Sequence, residues 1–113
     1  MDTTPTKADW KKFQEILPAL RERYLKRTNA EIRAILEIRN MSPTECFWAA
    51  AERIRLESKI LHDCLDGYSK GRMIERILLL QRYNMFLDED FNHFSPELQE
   101  EIRNIKKRMM GTP

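Results

Sequence analysis

Residues 42–66, SPTECFWAAAERIRLESKILHDCLD, constrain the fold more than any other stretch of this 113-residue chain. Ser42 is a good N-cap, Pro43 suits the first helical position, and the Glu45 carboxylate can reach back to the Ser42 N–H as a capping box. Phe47, Ala50, Ile54, Leu61 and Leu65 then recur at spacings of three, four and seven, the stripe of a helix with one buried face. Gly67 supplies the left-handed residue that stops it. Such a helix runs ~36 Å, enough to cross a small domain.

The flanking sequence adds further helices. Thr6 can cap a first one with Asp9 at its third position, and Trp10, Phe13, Leu17, Leu20 and Tyr24 follow at alternating spacings of three and four. Pro18 falls inside this stripe without shifting its register, which predicts a kink rather than a break. Thr28-Asn29-Ala30-Glu31 has the S/T-x-x-E pattern of a second helix start, with Ile32, Ile35 and Leu36 inward and an end at Asn40. Beyond Gly67, Ser69 is a cap for a helix carrying the ILLL run 77–80, apolar enough for a central position, with Asn84 as its stop. Asp88 opens a short turn, and Ser95-Pro96 repeats the Ser-Pro opening ahead of Leu98, Ile102, Ile105 and Met109.

No stretch alternates with period two over strand length. The expected fold is therefore all-α: a compact single-domain bundle of five to six helices built on a central antiparallel pair, 43–66 and 70–84. Residues 1–5 and 111–113 read as tails around one domain, 6–110. The core is expected to include Phe47, Ile54, Leu61, Leu65, Ile77 and Leu80.

Composition bounds the function. A net charge of +2, with 42% hydrophobic and 34% charged residues, is an ordinary globular balance that demands no nucleic-acid partner. No apolar run approaches the ~20 residues of a membrane span, and the N-terminus lacks the apolar segment of a signal peptide. The expected location is the cytoplasm, without membrane attachment. Cys46 and Cys64, 18 residues apart on one helix, stand ~27 Å from each other, too far to bridge.

Chemistry is sparse. Cys46, Cys64, His62 and His93 show no metal-ligand spacing, and His62, Asp63 and Cys64 fan out around a helix instead of converging. Nothing matches a phosphate-binding loop or a nucleophile elbow. The expectation is a non-enzymatic protein with no metal and no cofactor.

Two binding surfaces are left. The first is a protein interface, homodimeric or with another partner. Trp48, flanked by Ala49 and Ala51, stands ~100° off the main stripe and suits a docking helix; Phe86, Phe91 and Phe94 form a second aromatic group. The alternative is a nucleic-acid or phosphate site at the helix start around Tyr68, Lys70, Arg72 and Arg76, with a basic stripe at Arg103, Lys106 and Lys107. Charge alternates by segment: basic in 1–40 and 67–87, acidic in 41–66 and 88–113. Neighbouring helices can use that pattern to pair, and so can solvated faces without any partner.

Overall fold

The computed structural model describes residues 6–67 and 69–109. The expected tails and Tyr68 lie outside the described residues. Within them the chain is all-α, with four α-helices and two 3₁₀ segments: α1 (Lys7–Leu36), α2 (Pro43–Leu65), the 3₁₀ turn Lys70–Arg72 leading directly into α3 (Met73–Arg82), a second 3₁₀ segment Asp88–His93, and α4 (Pro96–Met109).

The helix start expected at Thr28 is absent. α1 is one continuous helix of 30 residues through Pro18 and through Thr28. Pro18 and Gln14 both face solvent, so water can serve the carbonyl that the proline leaves without a donor. Thr28 is no N-cap; it sits mid-helix with 1% exposure. Its S/T-x-x-E pattern is not used: the helix runs straight through it, and Glu31 pairs across to Arg53 of α2 at 2.7 Å. Asp9 also differs from expectation. Thr6 caps Asp9 N–H at 3.1 Å, but the Asp9 carboxylate turns inward and accepts from the Ser95 N–H and hydroxyl at 2.9 and 2.6 Å, tying the start of α1 to the start of α4.

The organising helix is as expected at both ends. The Ser42 hydroxyl accepts from Glu45 N–H, the Glu45 carboxylate accepts from Ser42 N–H, and Gly67 takes the left-handed φ of 69° just past the end. The backbone bond at Ser42 holds the Glu45 carboxyl below its ordinary pKa. α3 stops through a Schellman motif: Asn84 adopts φ 61°, Met85 N–H donates to the Leu80 carbonyl and Asn84 N–H to that of Gln81. Met85 and Leu80, the residues this motif brings together, are both fully buried. Ser69 departs from expectation, because its side chain caps nothing and the turn it opens is 3₁₀.

Helix length decides the architecture. α1 and α2, at 30 and 23 residues, run ~45 and ~35 Å, whereas α3 and α4, at 10 and 14, run only ~15 and ~21 Å. The short helices can cover only one end of the long ones. At that end Phe13, Leu17, Leu20 and Tyr24 of α1 meet Cys64, α3's Met73, Ile77 and Leu80, and α4's Leu98 and Ile102 in a single core. Leu61 and Leu65 pack against it, but Phe47 and Ile54 do not, and these two expected core residues are solvent-exposed. Burial there would need a third layer of helix that α3 is too short to supply.

The remainder of α1 and α2 extends as an antiparallel hairpin arm. Tyr24 meets Glu57, Glu31 meets Arg53, and Ile38 meets Cys46, so residue numbers fall on one helix as they rise on the other. α2 touches α3 only towards its C-terminal end, where the Arg76 guanidinium donates to the Asp63 carbonyl. The radius of gyration, 17.4 Å, exceeds the ~13 Å of a fully compact chain of this length. The arm accounts for the excess.

Candidate protein-interaction surface

The arm is held together by a polar clasp at its root. Glu57, 8% exposed, accepts from the Tyr24 phenol and from Arg53 Nε at 2.9 Å; Arg53 also reaches Glu31. The Arg27 guanidinium lies 5.4 Å over the Tyr24 ring. Burial, reinforced by the neighbouring Glu57 carboxylate, pushes the Tyr24 phenol up to about 12. Each buried polar group here has a partner, so the clasp is structural and offers no open site.

Beyond the clasp one face of the hairpin is apolar and uncovered by any described residue. Leu36 is 53% exposed, Phe47 58%, Trp48 65% and Ile54 50%. They are contiguous. Ile32, Leu36, Phe47, Ala50, Ala51 and Ile54 line an open groove of about 410 Å³. It continues towards the root into a second hollow of about 250 Å³ that shares Ile32 and Ile54 and ends at Asn29, Ser58 and Leu61. Trp48 stands on the outer rim, its ring edge-on to Phe47 at 5.0 Å. Soluble monomers rarely leave several large apolar side chains together in water.

The expected interface residues divide. Trp48 is exposed, with Ala49 and Ala51 partly buried beside it, and Ala51 lines the groove. Phe86 and Phe94 are core residues, and Phe91 packs on them with its ring 4.8 Å from Phe86. The reason is a second clasp that folds the 83–95 connection inward. Arg23 donates to both Asp90 oxygens, at 3.2 and 2.7 Å, and to the Met85 carbonyl, while Asp90 accepts from Leu87 N–H. Burial alone would raise the Asp90 carboxyl, but the bonds from Arg23 and Leu87 outweigh it and hold the group below its ordinary value. Phe86 and Phe94 are therefore unavailable as surface anchors, while Phe91 stays partly exposed and lines a hollow with Arg103 and Lys106.

The basic residues divide between the 70–76 segment and α4. Arg76 is spent on the Asp63 carbonyl, Lys70 is half-buried and Arg72 exposed on the 3₁₀ turn. On α4, Arg103 pairs with Glu100 at 2.9 Å, Lys106 lines a shallow groove with Leu78, Gln81 and Met109, and Lys107 faces solvent. Among the described residues no group of three or more His, Cys, Asp or Glu could hold a metal ion, and no helix is long and apolar enough to cross a membrane. Burial pushes the Cys64 thiol up to about 11, which leaves it unreactive as a nucleophile near neutrality.

No protein-family model, curated protein or solved structure matches this chain. The surface has to be read from its own chemistry.

Ile32, Leu36, Phe47 and Ile54 carry the site, and sequence reasoning assigned all four to the interior. One signal was available. The spacings 25-29-32-36 on α1 and 47-51-54-58-61 on α2 are both heptad-like, and each helix already has another stripe that meets the core or its neighbour.

Proposed function

We propose that the chain is a non-enzymatic protein-binding module that acts through the apolar face of its hairpin arm. The single observation behind this is the contiguous exposure of Leu36, Phe47, Trp48 and Ile54 along one groove. An enzyme needs titratable groups open to a substrate; here the buried ones, Tyr24–Glu57–Arg53 and Arg23–Asp90, are consumed by each other. The groove offers what protein interfaces use instead: aromatic anchors, an apolar floor and a charged rim.

The test is retention of host proteins on the immobilised chain, compared with Phe47→Glu. A carboxylate at that position stays hydrated on the free protein but cannot enter an apolar interface. Specific retention that disappears with the variant, at unchanged circular dichroism, supports the reading. Identical retention by both proteins sinks it.

A further inference from the structure

The groove has the layout of half a four-helix bundle. Leu25, Asn29, Ile32 and Leu36 of α1 follow at 4, 3, 4, and Phe47, Ala51, Ile54, Ser58 and Leu61 of α2 at 4, 3, 4, 3. Heptad spacing on both sides of one groove is what a second pair of helices with the same spacing would fill, knobs into holes. The arm itself is such a pair. Resting on the protein-binding reading above, we propose that the occupant is a second copy of this chain, the two arms packing face to face with tip beside tip.

Three observations favour a second copy over a single docking helix. The first is area. Aromatic side chains bury ~150–250 Å² each, so Leu36, Phe47, Trp48 and Ile54 together leave on the order of 500 Å² in water per copy; two copies reach the ~1,000 Å² that a specific interface must clear. A single helix lying in the groove would cover its floor and leave the rim tryptophan wet.

The second is the polarity gradient. The tip of the groove is apolar at Leu36, Phe47, Ile32 and Ala51, and polar groups enter only towards the root at Asn29 and Ser58. Tip beside tip sets apolar against apolar and gathers Asn29 and Ser58 of both copies at the root end, where they stay near water. The reversed order would press Leu36 and Phe47 against Ser58 and the charged root.

The third is the rim. Arg33 lies on the outer edge of α1, where it pairs with Glu37 at 3.3 Å, and the antiparallel pairing Glu31–Arg53 sets it level with Ala51, within one helical turn of Trp48 on α2. In the tip-beside-tip dimer, α1 of one copy faces α2 of the other. The Arg33 guanidinium of one then lies within reach of the Trp48 indole of the second, a cation–π pair formed twice by the two-fold axis.

Sedimentation equilibrium of the full chain, from low to high micromolar, tests this directly. The expected result is twice the monomer mass at the upper end. Phe47→Glu and, independently, Leu36→Lys should each raise the dissociation constant ~100-fold, because every substitution acts twice at an isologous interface. Circular dichroism on both variants verifies that the monomer is still folded. Ile32→Cys mixed with Ala51→Cys should cross-link on mild oxidation, since these positions on α1 and α2 stand at one height and the native thiols Cys46 and Cys64 are buried. A wild type that stays monomeric throughout overturns the proposal. If that monomer still captures a host protein through Phe47, the protein-binding reading survives with a different occupant. A dimer indifferent to both substitutions places the interface elsewhere. A cross-link that forms only on mixing Ala51→Cys with Ser58→Cys makes the arms antiparallel and overturns the tip-beside-tip order.

Discussion

Ile77 and Ile54 are the same side chain, each on the apolar stripe of an amphipathic helix, yet Ile77 has no exposed surface and Ile54 keeps half of its own. Around Ile77, helices α1, α2, α3 and α4 all contribute to one core; around Ile54 only α1 and α2 are present. A helix pair can bury the seam between its members and nothing more. The side chains just off that seam need another layer, and α3 and α4 are used up at the other end. An apolar stripe reports that some surface wants covering; helix length decides whether the same chain can cover it.

The largest effect should come from the covered end. Phe86 is 2% exposed and packs between Phe91 and Phe94. Phe86→Ala is expected to cost ~3–5 kcal/mol, whereas Phe47→Ala, on the uncovered arm, should cost under ~1 kcal/mol. Denaturant melts of the two variants side by side measure the contrast. Equal losses would mean that Phe47 is buried in solution and that the arm is covered from within.

Much of the fold was legible because caps and stripes are local. Ser42-Pro43-x-Glu45, Gly67 and Asn84 mark helix ends through backbone hydrogen bonds that need no tertiary partner, and all act where expected. The errors share the opposite cause. Asp9 and Glu31 look like capping residues until Ser95 and Arg53 arrive from 86 and 22 residues away. Phe86 and Phe94 look like an exposed aromatic group until Arg23, 67 residues from Asp90, pulls their segment inward. Trp48 was legible as an off-stripe residue because 100° per residue is a property of the helix alone. That Phe47 and Ile54 are exposed with it was not, since it depends on where α3 ends.

The inward pull can be broken separately. Asp90→Asn removes the charge that holds Arg23, and the expected loss near neutral pH is about 2 kcal/mol, below the ~3–5 kcal/mol of a fully buried pair because Arg23 keeps 41% of its side chain in water. The sign with pH follows from the depressed Asp90 carboxyl. Its stabilisation is complete above the ordinary aspartate range and fades as pH falls through the lowered folded-state value. Thermal melts of wild type and variant should therefore converge in acid and diverge towards neutrality. A gap that is constant with pH would assign the loss to packing.

The clasp at the root of the arm answers at the other end of the pH scale. Tyr24→Phe removes the phenol from Glu57 and should cost ~1–2 kcal/mol at neutral pH, since Arg53 still serves the carboxylate. With its phenol raised to about 12 from the usual 10, the wild type loses this stabilisation as pH rises between those values. The variant should lack that alkaline decline. Hydrogen exchange would localise the effect: the clasp sits where the arm meets the core, so amides of 28–53 should gain exchange while those of α3 stay protected. Uniform acceleration throughout the chain would make arm and core a single cooperative unit.

The smallest expected effect on stability belongs to the residue with the largest expected effect on binding. Trp48 is 65% exposed and touches Phe47 edge-on, and on the free chain it covers little else. Trp48→Ala should leave the monomer within ~0.5 kcal/mol of wild type, far from the ~3–5 kcal/mol of a core tryptophan. Aromatics at the rim of an apolar groove are where binding energy concentrates, because docking removes from water an area that folding left there. The same substitution should therefore lower the oligomeric mass, or abolish partner retention, under conditions where the melting curve does not move. Light scattering and thermal melts on this one variant decide between the two roles. A large fall in melting temperature in a protein that is monomeric from the start would make Trp48 part of the monomer's own packing, and the arm would then be as well covered as the core.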